Sequence, residues 1–105
     1  CMRYWHPLAP QVAAAVREYA PDHIVLLPLY PQFSTTTTRS AFEAWDQAAA
    51  ACGLKAPTAR ICCYPEDQGF ITASATLVSR AYAEAQAAGK GTPRVLFSAH
   101  GLPED

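Results

Sequence analysis

The residue in this chain best placed to do chemistry is His100. It follows the apolar run Val95-Leu96-Phe97 with only Ser98 and Ala99 between, and Gly101 comes directly after it. Glycine lets the backbone turn sharply or lets a ligand approach closely. An imidazole held at the end of a strand is a metal ligand or a proton acceptor near neutral pH. The same position also suits a histidine that merely hydrogen-bonds in a loop, and position alone leaves both readings open. Ser98 lies on the same side of an extended chain as His100, within reach of a hydrogen bond.

Arg3, Tyr4, Trp5 and His6 form a second group. Aromatic rings stack on a flat ligand and a guanidinium pairs a carboxylate, although each residue taken singly also fits a structural role. A third group is the hydroxyl-rich tract at residues 34–38, just ahead of an expected helix N-terminus, which is a setting for anions. No Gly-x-x-x-x-Gly-Lys-Ser pattern accompanies it, so a nucleotide phosphate site is not indicated. The absence of Gly-x-Ser-x-Gly argues against a serine hydrolase. His23 precedes a strand, is expected to face solvent, and takes no role.

Four cysteines occur, Cys1, Cys52, Cys62 and Cys63. Adjacent cysteines lack the C-x-x-C spacing that turns two thiolates toward one zinc or cluster iron, so all four are expected to be reduced core thiols.

Three helices and three strands must position these groups. Pro10 suits a first helical turn, Val12, Val16 and Tyr19 recur at helical spacing, and Pro21 forbids continuation, giving a helix over residues 9–20. Residues 23–30 form an almost unbroken apolar run, as in a parallel strand buried on both faces, with an irregularity expected at Pro28. Residues 31–39 read as a loop. Ser40 and Glu43 form a capping box for a helix over residues 41–52, whose apolar face is Phe42, Trp45, Ala49 and Cys52 and whose left-handed stop is Gly53. Residues 59–64 are a second candidate strand. Residues 67–88 are a long helix with Phe70, Leu77, Val78, Ala81 and Ala85 on one side, and residues 95–97 begin a third buried strand.

Strands alternating with helices predict an α/β fold, a parallel sheet with helices on its faces. In such sheets ligands bind outside the carboxyl ends of the strands, here residues 30–34, 64–66 and 98–101. The chain of 105 residues, half of them hydrophobic, has room for at most one small domain with a genuine core. Eight basic and nine acidic residues, without runs of either sign, give a net charge of -1 and no footprint for nucleic acid or an anionic membrane. A neutral or apolar small molecule fits better. No stretch approaches the roughly 20 apolar residues of a membrane helix, and no signal-peptide pattern opens the chain, so a cytoplasmic protein is expected. Cys1 stands where a natural chain has Met, and Asp105 closes the chain just after the His100 segment, so both ends are expected to be internal to a longer protein.

Three segments in order, Met2-Arg3-Tyr4-Trp5-His6-Pro7, Leu27-Pro28-Leu29-Tyr30-Pro31-Gln32-Phe33-Ser34-Thr35-Thr36-Thr37 and Leu96-Phe97-Ser98-Ala99-His100-Gly101-Leu102-Pro103, resemble successive signatures of ferrochelatases. The resemblance covers essentially the whole chain. It implies insertion of ferrous iron into protoporphyrin IX, with His100 as the catalytic, metal-facing residue and with Arg3, Tyr4, Gln32, Phe33 and Ser34 lining or supporting the porphyrin cleft. It also implies a partial doubly wound, flavodoxin-like chelatase domain that lacks its opening strand, and a second domain elsewhere, together with the acidic residue opposite the histidine. A stretch of this kind is expected to be inactive alone and prone to self-association through its open sheet edge. The family's iron–sulfur cluster, where members carry one, is held largely by cysteines near the carboxyl terminus, so the cysteines here neither require nor exclude it. Two other readings stand beside this one: a non-catalytic flavodoxin-like binding module, and a related chelatase that inserts cobalt or nickel into another tetrapyrrole.

Overall fold

The computed structural model describes residues 1–89 and 91–101; Lys90 and the Leu102-Pro103 end of the third motif lie outside the described residues. The chain divides into two compact units, Cys1–Tyr64 and Pro65–Asp105.

In the first unit the elements run α1 (Ala9–Tyr19), β1 (Ile24–Leu26), a π-helical turn (Thr35–Arg39), α2 (Ser40–Cys52) and β2 (Thr58–Arg60). Helix α1 starts with proline in its first turn, and the Leu8 N–H is taken up by Gln11 Oε1 at 2.9 Å. It stops at Ala20, which adopts the left-handed conformation (φ 51, ψ 56) ahead of Pro21. Gly53 closes α2 in the same way at φ 72, as its glycine predicts. Arg17 donates to the Cys52 carbonyl at 3.1 Å, placing a cation on the carboxyl end of α2.

Strands β1 and β2 pair in parallel, with Ile24 opposite Thr58 and Leu26 opposite Arg60. This is the α/β arrangement that alternating elements predict. The core lies between the two helices and one face of the sheet, where Ala9, Ala13, Trp45 and Ala48 are buried and Ile24 and Leu26 pack against them. Ala13 is wholly buried, and its small side chain lets the helices approach closely.

Two expectations for the sheet need correction. Residues 23–30 are not a strand buried on both faces: β1 ends at Leu26, and Val25, pointing away from the helices, is 64% exposed. Proline lacks the N–H that a ladder needs, so the strand stops short of Pro28. Likewise β2 is three residues long and exposed along its length. The pairing resumes further on with a slip: Ile61 N–H donates to the Leu26 carbonyl (2.9 Å) and Tyr64 N–H to the Pro31 carbonyl (2.8 Å). Five residues on the first strand thus span the same stretch as three on the second, so the segment around Pro28 must bow outward.

Of the tract ahead of α2, residues 31–34 are a loop as expected but Thr35–Arg39 are not. Arg39 N–H reaches back five residues to the Ser34 carbonyl at 3.1 Å, a π-type turn that runs directly into α2. Ser34 caps this turn, its Oγ accepting from Thr36 N–H at 3.2 Å. Ser40 is therefore not an N-cap. The backbone ahead of it is already helical and leaves it no orphan N–H to cap, so its hydroxyl shares its proton between the Thr36 and Thr37 carbonyls at 2.9 and 3.1 Å.

The second unit contains α3 (Gln68–Ala87), capped by Asp67, whose Oδ1 accepts from Phe70 N–H at 2.8 Å. No residue of α3 is buried, and Leu77 and Val78 of its apolar face are exposed. The expected third strand is not formed. Residues 95–97 join no ladder, and Leu96 and Phe97 are 90% and 93% exposed. An apolar run becomes a strand only beside a partner whose backbone groups it can pair with.

The cysteines are not core thiols either: Cys1, Cys62 and Cys63 are exposed and only Cys52 is half-buried. Cys62 and Cys63 follow the end of β2, beyond the part of the sheet that packs on the helices.

Candidate functional site

The amino-terminal segment folds back on itself. Met2 N–H donates to the Pro7 carbonyl at 2.8 Å, and Met2 and Leu8 form a parallel bridge. The turn between them displays Tyr4 and Trp5 to solvent, Tyr4 82% exposed. Trp5 and His6 meet edge to face at 6.4 Å, and His6 Nδ1 lies 3.3 Å from Gln11 Oε1, which ties the turn to the start of α1.

Arg3 leaves this turn half-buried. Its guanidinium carbon stands 5.2 Å from the centre of the Tyr4 ring, a cation–π contact. Its Nε donates a long hydrogen bond, 3.4 Å, to Ser40 Oγ. Ser40 in turn holds the π-helical turn through the Thr36 and Thr37 carbonyls, and Thr36 Oγ1 lies 2.9 Å from Ser34 Oγ. Thr38, fully buried, donates from Oγ1 to the Gln32 carbonyl at 3.5 Å. A polar chain therefore runs from Arg3 through Ser40 and Thr36 to Ser34, and Thr38 separately holds the Gln32 backbone. π-type turns inside helical segments are frequent at functional sites, because the extra residue re-aims the groups around it.

Three of the five residues expected to meet substrate, Arg3, Tyr4 and Ser34, are thus linked through Ser40 and Thr36, while Gln32 is held separately, by its backbone carbonyl, and Phe33 is partly exposed in the same loop. Ser40 and Thr38 were not expected in these contacts. The signal for Ser40 was ambiguous, since a serine ahead of an apolar helical face reads first as a cap.

Beside the cluster lies a groove of about 690 Å³. Met2, Arg3, Leu27, Tyr30, Phe42 and Trp45 are among the residues that line it. The volume is in the range of small-molecule sites and the wall is largely apolar. Arg3 is its cation, and among the described residues no carboxylate pairs with Arg3. By contrast Arg60 is neutralised by Asp46 at 2.6 Å.

His100 belongs to the second unit. Its residue is exposed, and among the described residues neither Ser98 nor any other side chain hydrogen-bonds to it. No three His, Cys, Asp or Glu side chains converge as a metal-ligand set among the described residues.

Comparison with known proteins decides the family. The ferrochelatase family model matches residues 1–105, the entire chain. The chain belongs to the ferrochelatase family. It is 50% identical over 103 residues to the ferrochelatase of a Wolbachia from Brugia malayi, covering 98% of this chain and 30% of that protein. It is 47% identical over 106 residues to the ferrochelatase of Caulobacter vibrioides strain NA1000, covering 98% and 28%. With that of Phenylobacterium zucineum the identity is 50% over 106 residues, covering 98% and 29%. This family member therefore spans less than a third of the length of the relatives it matches. No solved structure matches it. No helix among the described residues is long and apolar enough to cross a membrane.

Proposed function

We propose that the whole protein inserts ferrous iron into protoporphyrin IX, and that this chain furnishes one wall of the porphyrin cleft. The observation that carries the reading is Arg3, a half-buried guanidinium that no carboxylate pairs with among the described residues, at the edge of a largely apolar groove. Protoporphyrin matches that wall in kind: a flat apolar macrocycle with carboxylates on one edge. Arg3 pairs a propionate, Tyr4 and Phe33 offer ring faces, and Gln32 and Ser34 support the loop around the macrocycle.

Metallation has three requirements. A pyrrole lone pair must turn out of the macrocycle plane, two pyrrole protons must leave, and iron must shed its water. Holding the porphyrin bent accomplishes the first by directing binding energy into distortion. A neutral imidazole accomplishes either of the others, as a base near pH 7 or as a ligand of intermediate softness for Fe(II), and His100 takes that part. One imidazole is too few ligands to hold iron tightly, which suits a metal that is substrate and must move on.

In this reading the chain is part of one chelatase domain, and the opening strand, the second domain and the opposing acidic group lie in the part of the relatives' length it does not cover. The uncovered face of α3, with Leu77 and Val78 exposed, supports self-association of the isolated polypeptide. A cytoplasmic setting is supported by its exposed free thiols, which a reducing compartment preserves.

The test is anaerobic metal insertion into a soluble porphyrin, comparing Fe(II), Co(II) and Ni(II), for the full-length protein and for residues 1–105 alone. Full-length protein should prefer iron and the short chain should not turn over, since groups on both sides of the macrocycle must be preorganised. A preference for cobalt or nickel would replace iron insertion with a related chelation. Turnover by the short chain would overturn the two-sided cleft.

A further inference from the structure

The cysteine pair after β2 takes no part in the porphyrin site. Neighbouring residues of an extended strand point to opposite faces, so adjacent cysteines in a strand keep their thiols apart. Here the strand has ended at Arg60, and Cys63 Sγ lies 2.8 Å from Cys62 Sγ. Both residues are exposed. The dipeptide is also held from both sides. Before it, Ile61 N–H donates to the Leu26 carbonyl at 2.9 Å; after it, Tyr64 N–H donates to the Pro31 carbonyl at 2.8 Å and Tyr64 Oη to the Pro28 carbonyl at 3.1 Å. Two accessible sulfurs thus converge on a short bridge whose ends are tied to the neighbouring strand exit.

We propose that Cys62 and Cys63 form a vicinal dithiol site that captures soft, thiophilic centres of the trivalent arsenic class as a two-sulfur chelate. The donor set selects the class. Zinc in a structural site takes four ligands, and no third or fourth protein ligand converges here among the described residues. A centre that needs only two sulfurs beyond its own substituent has no such requirement. Spacing agrees as well: sulfurs that start 2.8 Å apart need open only modestly to straddle one centre, which exposed side chains achieve by rotating about χ1.

Protonation fits the same chemistry. The hydrogen bond shared with the Cys63 sulfur, followed by desolvation and the neighbouring sulfur's charge, raises the Cys62 thiol above its ordinary value, so Cys62 keeps its proton at neutral pH. An arsenic oxide supplies the group that removes it. With phenylarsine oxide both S–H bonds break, two As–S bonds form, and the arsenic-bound oxygen leaves with both protons as water. Arsenic remains trivalent, and nothing is oxidised or reduced.

The test uses full-length protein reduced with a phosphine and titrated with phenylarsine oxide. Intact mass is read after challenge with excess glutathione, a monothiol, and then with a small-molecule dithiol. The proposal expects an adduct on the peptide carrying Cys62 and Cys63 that survives glutathione and is removed by the dithiol. Cys62→Ser and Cys63→Ser should each weaken arsenical binding at this peptide by at least about 100-fold, the loss expected when a second linked contact is removed. Cys1→Ser and Cys52→Ser should leave that adduct intact, and circular dichroism of each variant reports whether the fold persists. A glutathione-resistant adduct on this peptide in either single serine variant would overturn the proposal. So would its absence from reduced, folded wild-type protein.

Discussion

Replacing Arg3 by Ala in the full-length protein isolates the contribution that the groove's cation makes to recognising the porphyrin. The Nε of Arg3 is engaged with Ser40 Oγ at a long 3.4 Å, so its two terminal nitrogens remain for a carboxylate. A hydrogen bond to a charged group contributes about 1.5–3 kcal/mol. Arg3 is only half-buried, and solvent screening brings this to about 1–2 kcal/mol, or roughly 5- to 30-fold in Kd. The assay is quenching of porphyrin fluorescence on titration with protein. The diacid porphyrin should bind Arg3→Ala that much more weakly, while its dimethyl ester, lacking the anion, should bind both proteins alike. Arg3→Lys should fall between, because a point charge retains attraction but loses the planar fork. Equal diacid affinity for wild type and Arg3→Ala would refute the pairing. An equal loss for diacid and ester would show that Arg3 acts by shaping the loop instead.

Two stability predictions follow from the packing and caps. Ala20 closes α1 at φ 51, a left-handed conformation that costs a residue with a Cβ about 1–2 kcal/mol, partly offset by the roughly 0.5–1 kcal/mol of extra chain entropy glycine loses on folding. Ala20→Gly should therefore stabilise by about 0.5–1 kcal/mol, seen as a higher urea midpoint, and a lower midpoint would contradict the cap. Trp45 is 5% exposed in the α1–α2 core, so Trp45→Ala should cost about 3–5 kcal/mol; a loss below about 1 kcal/mol would mean that this core carries little of the fold.

Much of the local structure was legible in the sequence because its signals are local. Pro10 and Pro21 bracket α1, Gly53 ends α2, and the long helix opens at Asp67, each by a conformational preference of a few neighbouring residues. What was misread depends on partners distant in sequence. An apolar run such as Val95-Leu96-Phe97 reads as a strand whether or not a ladder partner is present. Cys62 and Cys63 read as core because their run is apolar, although the sheet packs on its helices only as far as Leu26. Ser34 rather than Ser40 is the cap because a π-type turn needs one residue more than the usual helical spacing, and nothing in Thr35-Thr36-Thr37-Thr38 announces it.

The candidate site shows the same division. Arg3, Gln32 and Ser34 were legible as members of separate motifs, whereas Ser40, which links Arg3 toward Ser34, and Thr38, which holds the Gln32 backbone, emerge only once the amino-terminal turn and the strand exit are folded against α2.

The part given to His100 in metallation is most directly tested by substituting it in the full-length protein and measuring anaerobic Fe(II) insertion. His100→Ala should fold as wild type, since the wild-type side chain is exposed and hydrogen-bonds to no other described residue. It should bind porphyrin with nearly unchanged affinity and lose most of its kcat, by about 100-fold or more for a group acting on protons or metal in the transition state. Turnover equal to wild type with folded, porphyrin-binding protein would remove His100 from the chemistry.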